Sequence, residues 1–229
     1  MNNSEKDYDA IIFDLDDTLY SEKDYVMSGF IEVGKVLNEI ENVADKLWYA
    51  FQKGERAIEY VLESEGIYSD NLKDICVQTY RNHKPKIKLY DGFREILEDL
   101  HNSGIKLGLI TDGRPEGQNN KIDALGIRDV FDKIIITDEL GGSQFRKPND
   151  ISFRLMQGTL GVSYSKMVYI GDNPDKDFIA PSRLGMSSWY FKNDDGLYSK
   201  KPSLSIRSYE FQKSSQLIDK LNDLIHGKR

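Results

Sequence analysis

Four short apolar runs, each closing on polar or acidic residues, constrain this chain more than any other feature. They are Asp9-Ala10-Ile11-Ile12-Phe13, Ile105-Lys106-Leu107-Gly108-Leu109-Ile110, Lys133-Ile134-Ile135-Ile136 and Met167-Val168-Tyr169-Ile170. Runs this short and this apolar read as strands buried on both faces, the mark of a parallel sheet. Helical patterns lie between them: Phe93, Ile96, Leu97 and Leu100, then Ile122 and Leu125, then Phe153, Leu155, Met156 and Leu160. Strands alternating with amphipathic helices predict an α/β fold built on a doubly wound parallel sheet covered on both faces. Ligands of such sheets bind beyond the carboxyl ends of the strands. Asp14, Thr111-Asp112, Thr137-Asp138 and Gly171-Asp172 all fall at those ends. A last helix is expected over residues 216–225.

The stretch 21–88 breaks the alternation, because its apolar residues repeat only at helical spacing. Val26, Phe30, Val33, Leu37 and Ile40 form one stripe, Leu47, Phe51, Ile58, Val61 and Leu62 a second, and Leu72, Ile75, Cys76 and Tyr80 a third. Pro85 stops the last of these helices before the chain returns to the core. Residues 1–20 and 89–229 are therefore expected to form the catalytic core and 21–88 an inserted all-helical unit. An insert that leaves at the catalytic edge of a sheet is placed to act as a lid, with hinges after Tyr20 and at 84–88. Tyr20, Tyr25, Trp48, Tyr49 and Phe51 are candidates to stack on a substrate, although aromatics at helical spacing more commonly fill a core.

With 229 residues, of which 39% are hydrophobic, the chain is long enough for one domain carrying such an insert. Its 31 Lys and Arg against 38 Asp and Glu give a net charge of -7, which disfavours a general electrostatic hold on nucleic acid or an anionic membrane. Any anionic substrate has to be captured locally. Cys76 is the only cysteine, so neither a disulfide framework nor a Cys-rich zinc site is expected. No run of about 18 apolar residues occurs, and Met1–Asp7 lacks the apolar core of a signal peptide, so a cytoplasmic protein with no membrane partner is expected.

The chemistry is concentrated after the strands. In Asp14-Leu15-Asp16-Asp17-Thr18-Leu19-Tyr20, a continuing strand would turn Asp14 and Asp16 to one face. Two carboxylates so close cannot both stay ionised cheaply, so a cation such as Mg²⁺ sits between them or one keeps its proton. Thr111-Asp112-Gly113 offers a hydroxyl, backbone N–H groups and a glycine that permits close approach of a phosphate. Lys147 before Pro148 supplies a point charge for an anion, and Gly171-Asp172-Asn173-Pro174-Asp175-Lys176-Asp177 offers further carboxylates for a metal. Taken singly, the last three are ordinary; in this order, each beyond a strand, they are not.

Together these motifs resemble the haloacid dehalogenase superfamily: Asp-x-Asp-x-Thr as Asp14 to Thr18, the motif-two Thr as Thr111, the motif-three Lys as Lys147, and Gly-Asp-x-x-x-x-Asp as Gly171 to Asp177. The insert matches the superfamily's helical C1 cap in place and length. The resemblance implies a Rossmann-like core and a Mg²⁺-dependent hydrolase of phosphate monoesters. It implies Asp14 as nucleophile, Asp16 as general acid and base, and Thr111 and Lys147 as ligands of the phosphoryl group. It further implies that the metal is held by Asp14, by the backbone carbonyl of Asp16 and by Asp172, with Asp177, and more weakly Asn173 and Asp175, in the layer behind. Asp112, Gly113 and Arg114 are candidate substrate-binding residues, with Gln118 in reach. An acid at Asp16 argues against the carbon–halogen branch, since a halide needs no proton to leave. The expected substrate is a small phosphorylated metabolite: a sugar phosphate, nucleotide or phosphoacid. The alternatives are a phosphomutase of the same superfamily, a receiver-like phospho-acceptor and an idle binding module. His83, His101 and His226 receive no role.

Overall fold

The computed structural model describes residues 8–194, 196–197 and 209–226, so Met1–Asp7, which bore on the signal-peptide reading, lies outside it. Among the described residues, six strands form one sheet: β1 (Ala10–Phe13), β2 (Lys106–Thr111), β3 (Lys133–Ile136), β4 (Met167–Gly171), β5 (Ser187–Phe191) and β6 (Tyr209–Phe211). Every pairing is parallel and the order is β3-β2-β1-β4-β5-β6. The order reverses at β1, so the chain's first strand lies at the centre of the sheet. Register aligns the strand ends: Phe13 lies beside Leu109 and Ile170, and Thr111 beside Ile136.

Alternation along the strands sorts side chains to two faces. Ile11, Phe13, Leu107, Leu109, Val168 and Ile170 join one apolar cluster, whereas Ile12, Ile110, Met167 and Tyr169 join the other. The first face is covered by α5 (Phe93–Asn102), α6 (Pro115–Leu125) and α9 (Ser214–His226), through Phe93, Leu97, Ile122 and Leu221 among others. The second is covered by α7 (Ile151–Leu160) and α8 (Ile179–Leu184), with Phe153 and Met156 wholly buried. Each such apolar side chain contributes about 1.5–3 kcal/mol on burial.

Between β1 and α5 run four helices: α1 (Glu22–Val36), α2 (Val43–Gln52), α3 (Ala57–Ser64) and α4 (Asp70–Asn82). They pack on one another, and α4 also meets α6 of the core. The second stripe read from the sequence divides between two helices, because the chain turns at Gly54 with a φ of 76°. Ile75, assigned to the third stripe, is instead 44% exposed. The close approach of α1 and α4 needs a glycine at Gly29, where a Cβ would lie 2.5 Å from the Tyr80 ring. The two connections to the core run side by side: Tyr90 N donates to Leu19 O at 3.0 Å, and Tyr20 bridges to Leu89.

Strands β5 and β6 were not anticipated. β5 opens on Ser187 and Ser188, both buried, so the apolar signal is confined to Trp189-Tyr190-Phe191. β6 has three residues, too few to show a period. No helix among the described residues is long and apolar enough to cross a membrane.

Candidate active site

The sheet's carboxyl edge gathers the polar residues, beginning with Asp14. Its N–H extends the ladder by donating to Ile170 O at 2.8 Å, which places the carboxylate just beyond the central strand. One oxygen, Oδ1, accepts from Lys147 Nζ; the other, Oδ2, is buried with no partner. Lys147 is itself clasped by Asp177 Oδ1 at 2.9 Å and the Tyr169 hydroxyl at 2.7 Å. Asp177 has both oxygens engaged, since Oδ2 accepts from Asn173 N at 2.9 Å. Gly171 makes room for that arrangement: a Cβ there would sit 2.6 Å from Asp177 Oδ2.

Burial dominates the electrostatics here. It lifts the Asp14 carboxyl to about 6 even with the Lys147 ammonium opposing it. Burial, reinforced by Asp177 and Asp14, pushes Asp172 well above the usual carboxylate range. Burial alone would depress Lys147, but Asp14, Asp177 and Asp112 hold it above its ordinary value, so it stays charged. Asp172 is 5% exposed, and among the described residues its carboxylate accepts no hydrogen bond. Ligand atoms of Asp14, Asp172 and Asp177 lie within 4.8 Å of one another. Two buried carboxylates with unengaged oxygens at this spacing fit a hard divalent cation, which takes oxygen ligands and lowers such raised pKa values.

Asp16 has its own nest of partners, and the continuing strand on which its alignment with Asp14 was expected ends earlier. β1 stops at Phe13, and residues 15–19 curl into a turn in which Thr18 N and Leu19 N both donate to Leu15 O. The Asp16 carboxylate meets Lys121 Nζ at 2.7 Å, Gln118 Nε2 at 3.0 Å and the Tyr20 hydroxyl. Burial would raise Asp16, but Lys121 and the bonds from Tyr20 and Gln118 outweigh it and hold the carboxyl below its usual range. The Tyr25 ring lies 4.1 Å from Lys121 Nζ and completes this nest.

Between the two nests stands Thr111, fully buried, whose hydroxyl is bonded by Gln118 Nε2. The Asp112 carboxylate is turned to the scaffold: Oδ1 accepts from Thr137 Oγ1 at 2.9 Å and Lys147 N at 3.0 Å, and Oδ2 lies 3.4 Å from Lys176 Nζ. What Asp112 can offer a substrate is its backbone. Gly113 has a φ of 144° and lies against Gln118; Arg114 caps α6 and points to an open cavity. Of the aromatic candidates only Tyr25 reaches that cavity; Tyr20 is buried on Asp16, Trp48 stacks on Phe51 at 5.5 Å, and Tyr49 is exposed beside Lys53.

Lys121, Lys176 and Tyr169 were missed by sequence reasoning. Lys121 carried a legible signal: Gln118, Lys121, Ile122 and Leu125 all lie on the buried stripe of α6. Two polar residues at the catalytic end of an apolar stripe have to meet polar partners there.

A central strand ending in an aspartate paired with a buried lysine, with two more aspartates across the gap, defines an α/β enzyme with an acidic, cation-fitting centre. The chain belongs to the haloacid dehalogenase-like hydrolases, whose family model matches residues 11–190. It is 28% identical over 227 residues to a glyceraldehyde 3-phosphate phosphatase of Methanocaldococcus jannaschii, covering 94% of this chain and 97% of that one. It is 24% identical to the pyrophosphatase PpaX of Bacillus velezensis, covering 97% of each. Among solved structures, the magnesium-bound putative hydrolase YfnB of Bacillus subtilis superposes with a TM-score of 0.72 at 21% identity, over 95% of this chain and 100% of that one.

Proposed function

We propose that this protein is a Mg²⁺-dependent phosphatase of a small phosphorylated metabolite that works through an aspartyl-phosphate on Asp14. The observation that carries this reading is the state of Asp14: one oxygen is fixed by Lys147 and the other is buried without a partner at the end of the central strand. A nucleophile needs such preorganisation more than it needs strength. In the first half-reaction Asp14 attacks phosphorus, and the bond to the leaving oxygen breaks as that oxygen takes the proton that Asp16 acquires once the anionic phosphate is bound beside it. In the second, a water that gives its proton to Asp16 attacks phosphorus and releases Asp14 and inorganic phosphate. Lys147 and Thr111 hold the phosphoryl oxygens, while Lys121, Gln118 and Tyr20 fix the orientation of Asp16. Asp14, Asp172 and the backbone carbonyl of Asp16 would hold Mg²⁺, which supplies positive charge to offset the phosphoryl oxygens. Asp177 stays behind, orienting Lys147.

The four helices of 21–88 serve as a cap in this reading, hinged where Leu19–Tyr20 and Leu89–Tyr90 run together. Closure would exclude water from the nucleophile and set substrate choice. Turnover of p-nitrophenyl phosphate with added Mg²⁺ tests the activity. We expect hydrolysis that is lost in excess EDTA and restored by Mg²⁺. Full activity under chelation would exclude the metal role, and no turnover of any phosphate monoester would exclude the phosphatase.

A further inference from the structure

A cavity of about 350 Å³ opens between the end of α4 and the start of α6. Its inner wall includes Tyr25 and Gln118, the two residues that flank the Asp16 nest: Gln118 bonds the Asp16 carboxylate and Tyr25 lies against Lys121. Gln118 thus borders both the carboxylate that would protonate the leaving oxygen and this space. Two arginines line it, Arg81 from α4 and Arg114 from the cap of α6, with Glu116 the one carboxylate among the lining residues. Among the described residues neither arginine pairs with a carboxylate or donates a side-chain hydrogen bond. Lys121, the cation beneath, is committed to Asp16. Two arginines lining one cavity from different elements, without carboxylate partners among the described residues, run against the composition of a chain whose net charge is -7. Guanidinium groups bind planar oxyanions bidentately.

We propose that this cavity is a leaving-group subsite for a second anion, so that the substrate is a phosphorylated acid rather than a neutral phosphate ester. The proposal rests on the phosphatase reading of the same site and narrows it. The shared chemistry is an oxyanion, either a carboxylate or a second phosphate, placed a few bonds from the leaving oxygen. Arg81 travels with the helical insert and Arg114 with the core, so an anion held by both also draws the two together over Asp16. Neutral esters lack that bridge and forfeit the binding energy of both forks.

The test compares kcat/KM for 3-phosphoglycerate and glyceraldehyde 3-phosphate, which share a carbon chain and differ in a carboxylate against an aldehyde. Pyrophosphate serves as the arm for a second phosphate, and p-nitrophenyl phosphate reports whether the enzyme is a phosphatase at all. We expect a preference of about 10-fold or more for at least one anionic substrate over the aldehyde, reduced to near unity in Arg81→Ala and Arg114→Ala and partly retained in Arg114→Lys. Because the readout is a ratio within each variant, a loss of folded protein cannot imitate it. On the unaltered protein, glycerate should inhibit more tightly than glyceraldehyde. Hydrolysis with no preference for either anion overturns the subsite and leaves the phosphatase standing. A preference that survives both alanine variants also overturns it. Failure to hydrolyse p-nitrophenyl phosphate and every other ester overturns both readings.

Discussion

Lys121 is half-hidden behind the motifs, yet its ammonium is what holds Asp16 in place. It is 6% exposed and bonds the Asp16 carboxylate at 2.7 Å, while Gln118 ties the same carboxylate to Thr111. A general acid works only if its proton lies on the line to the leaving oxygen. We therefore predict that Lys121→Met lowers kcat roughly 10–100-fold on an alkyl phosphate and much less on p-nitrophenyl phosphate, whose phenolate leaves with little proton help. Steady-state kinetics on the two substrates measures this, and equal losses on both would reduce Lys121 to a structural role. The sequence pointed to Asp14, Asp16, Thr111, Lys147, Asp172 and Asp177, because they stand at or after the ends of apolar runs in a recognisable order and spacing. It did not show which side chains hold Asp16, since that depends on where β1 ends and how residues 15–19 turn. Nor did it separate Lys121 and Lys176 from the chain's other lysines, because partner geometry, not residue type, distinguishes them.

Elements near the site were legible in proportion to the strength of their period. β1 to β4 and the helices between them carry unbroken apolar patterns, whereas β5 begins on two buried serines and β6 is three residues long. The insert was legible as helical, but its break at Gly54 was not, because apolar spacing runs through the turn. The seam of α1 and α4 offers an element-scale test. Gly29→Ala drives a Cβ into the Tyr80 ring, and an aromatic ring packed beside Tyr25 and His83 has little room to yield. The predicted cost is about 1–3 kcal/mol in urea unfolding. Stability equal to that of the unaltered protein would show that the two helices separate more readily than their packing implies. Glu22 at the start of α1 offers a second. Burial, then Asp16, with Asp17 adding to it and Lys121 and Lys176 opposing, pushes its carboxyl up to about 8. A carboxyl raised above its unfolded value contributes stability that is fully present below the unfolded pKa, near 4.5, and lost as pH rises to about 8. The metal-free protein should thus melt at lower temperature near pH 8 than near pH 5. Glu22→Gln should recover roughly 3–6 °C of that difference, for about 1–2 kcal/mol. An identical pH dependence in the variant would place the effect elsewhere.

At the scale of the molecule, five aspartates and three lysines gather at the carboxyl edge of the sheet, and the helical insert leaves and rejoins the core beside them. Buried like charges of this kind are tolerated because each has a defined counterpart: Lys147 for Asp14 and Asp177, Lys121 for Asp16, Lys176 for Asp112. Asp172 and the free oxygen of Asp14 are the exceptions, and in this account they are the reason the fold is an enzyme. The central claim is that phosphoryl transfer passes through Asp14, with Asp16 supplying and removing the proton. Asp16→Asn keeps the shape of the side chain and removes its proton chemistry, so with p-nitrophenyl phosphate and Mg²⁺ the first half-reaction should outlast the second. Mass spectrometry of the acid-quenched variant should then show a phosphoryl group on the peptide carrying Asp14, absent from Asp14→Ala. Phosphate on any other residue, or turnover on an alkyl phosphate by Asp16→Asn at the rate of the unaltered protein, would contradict the account.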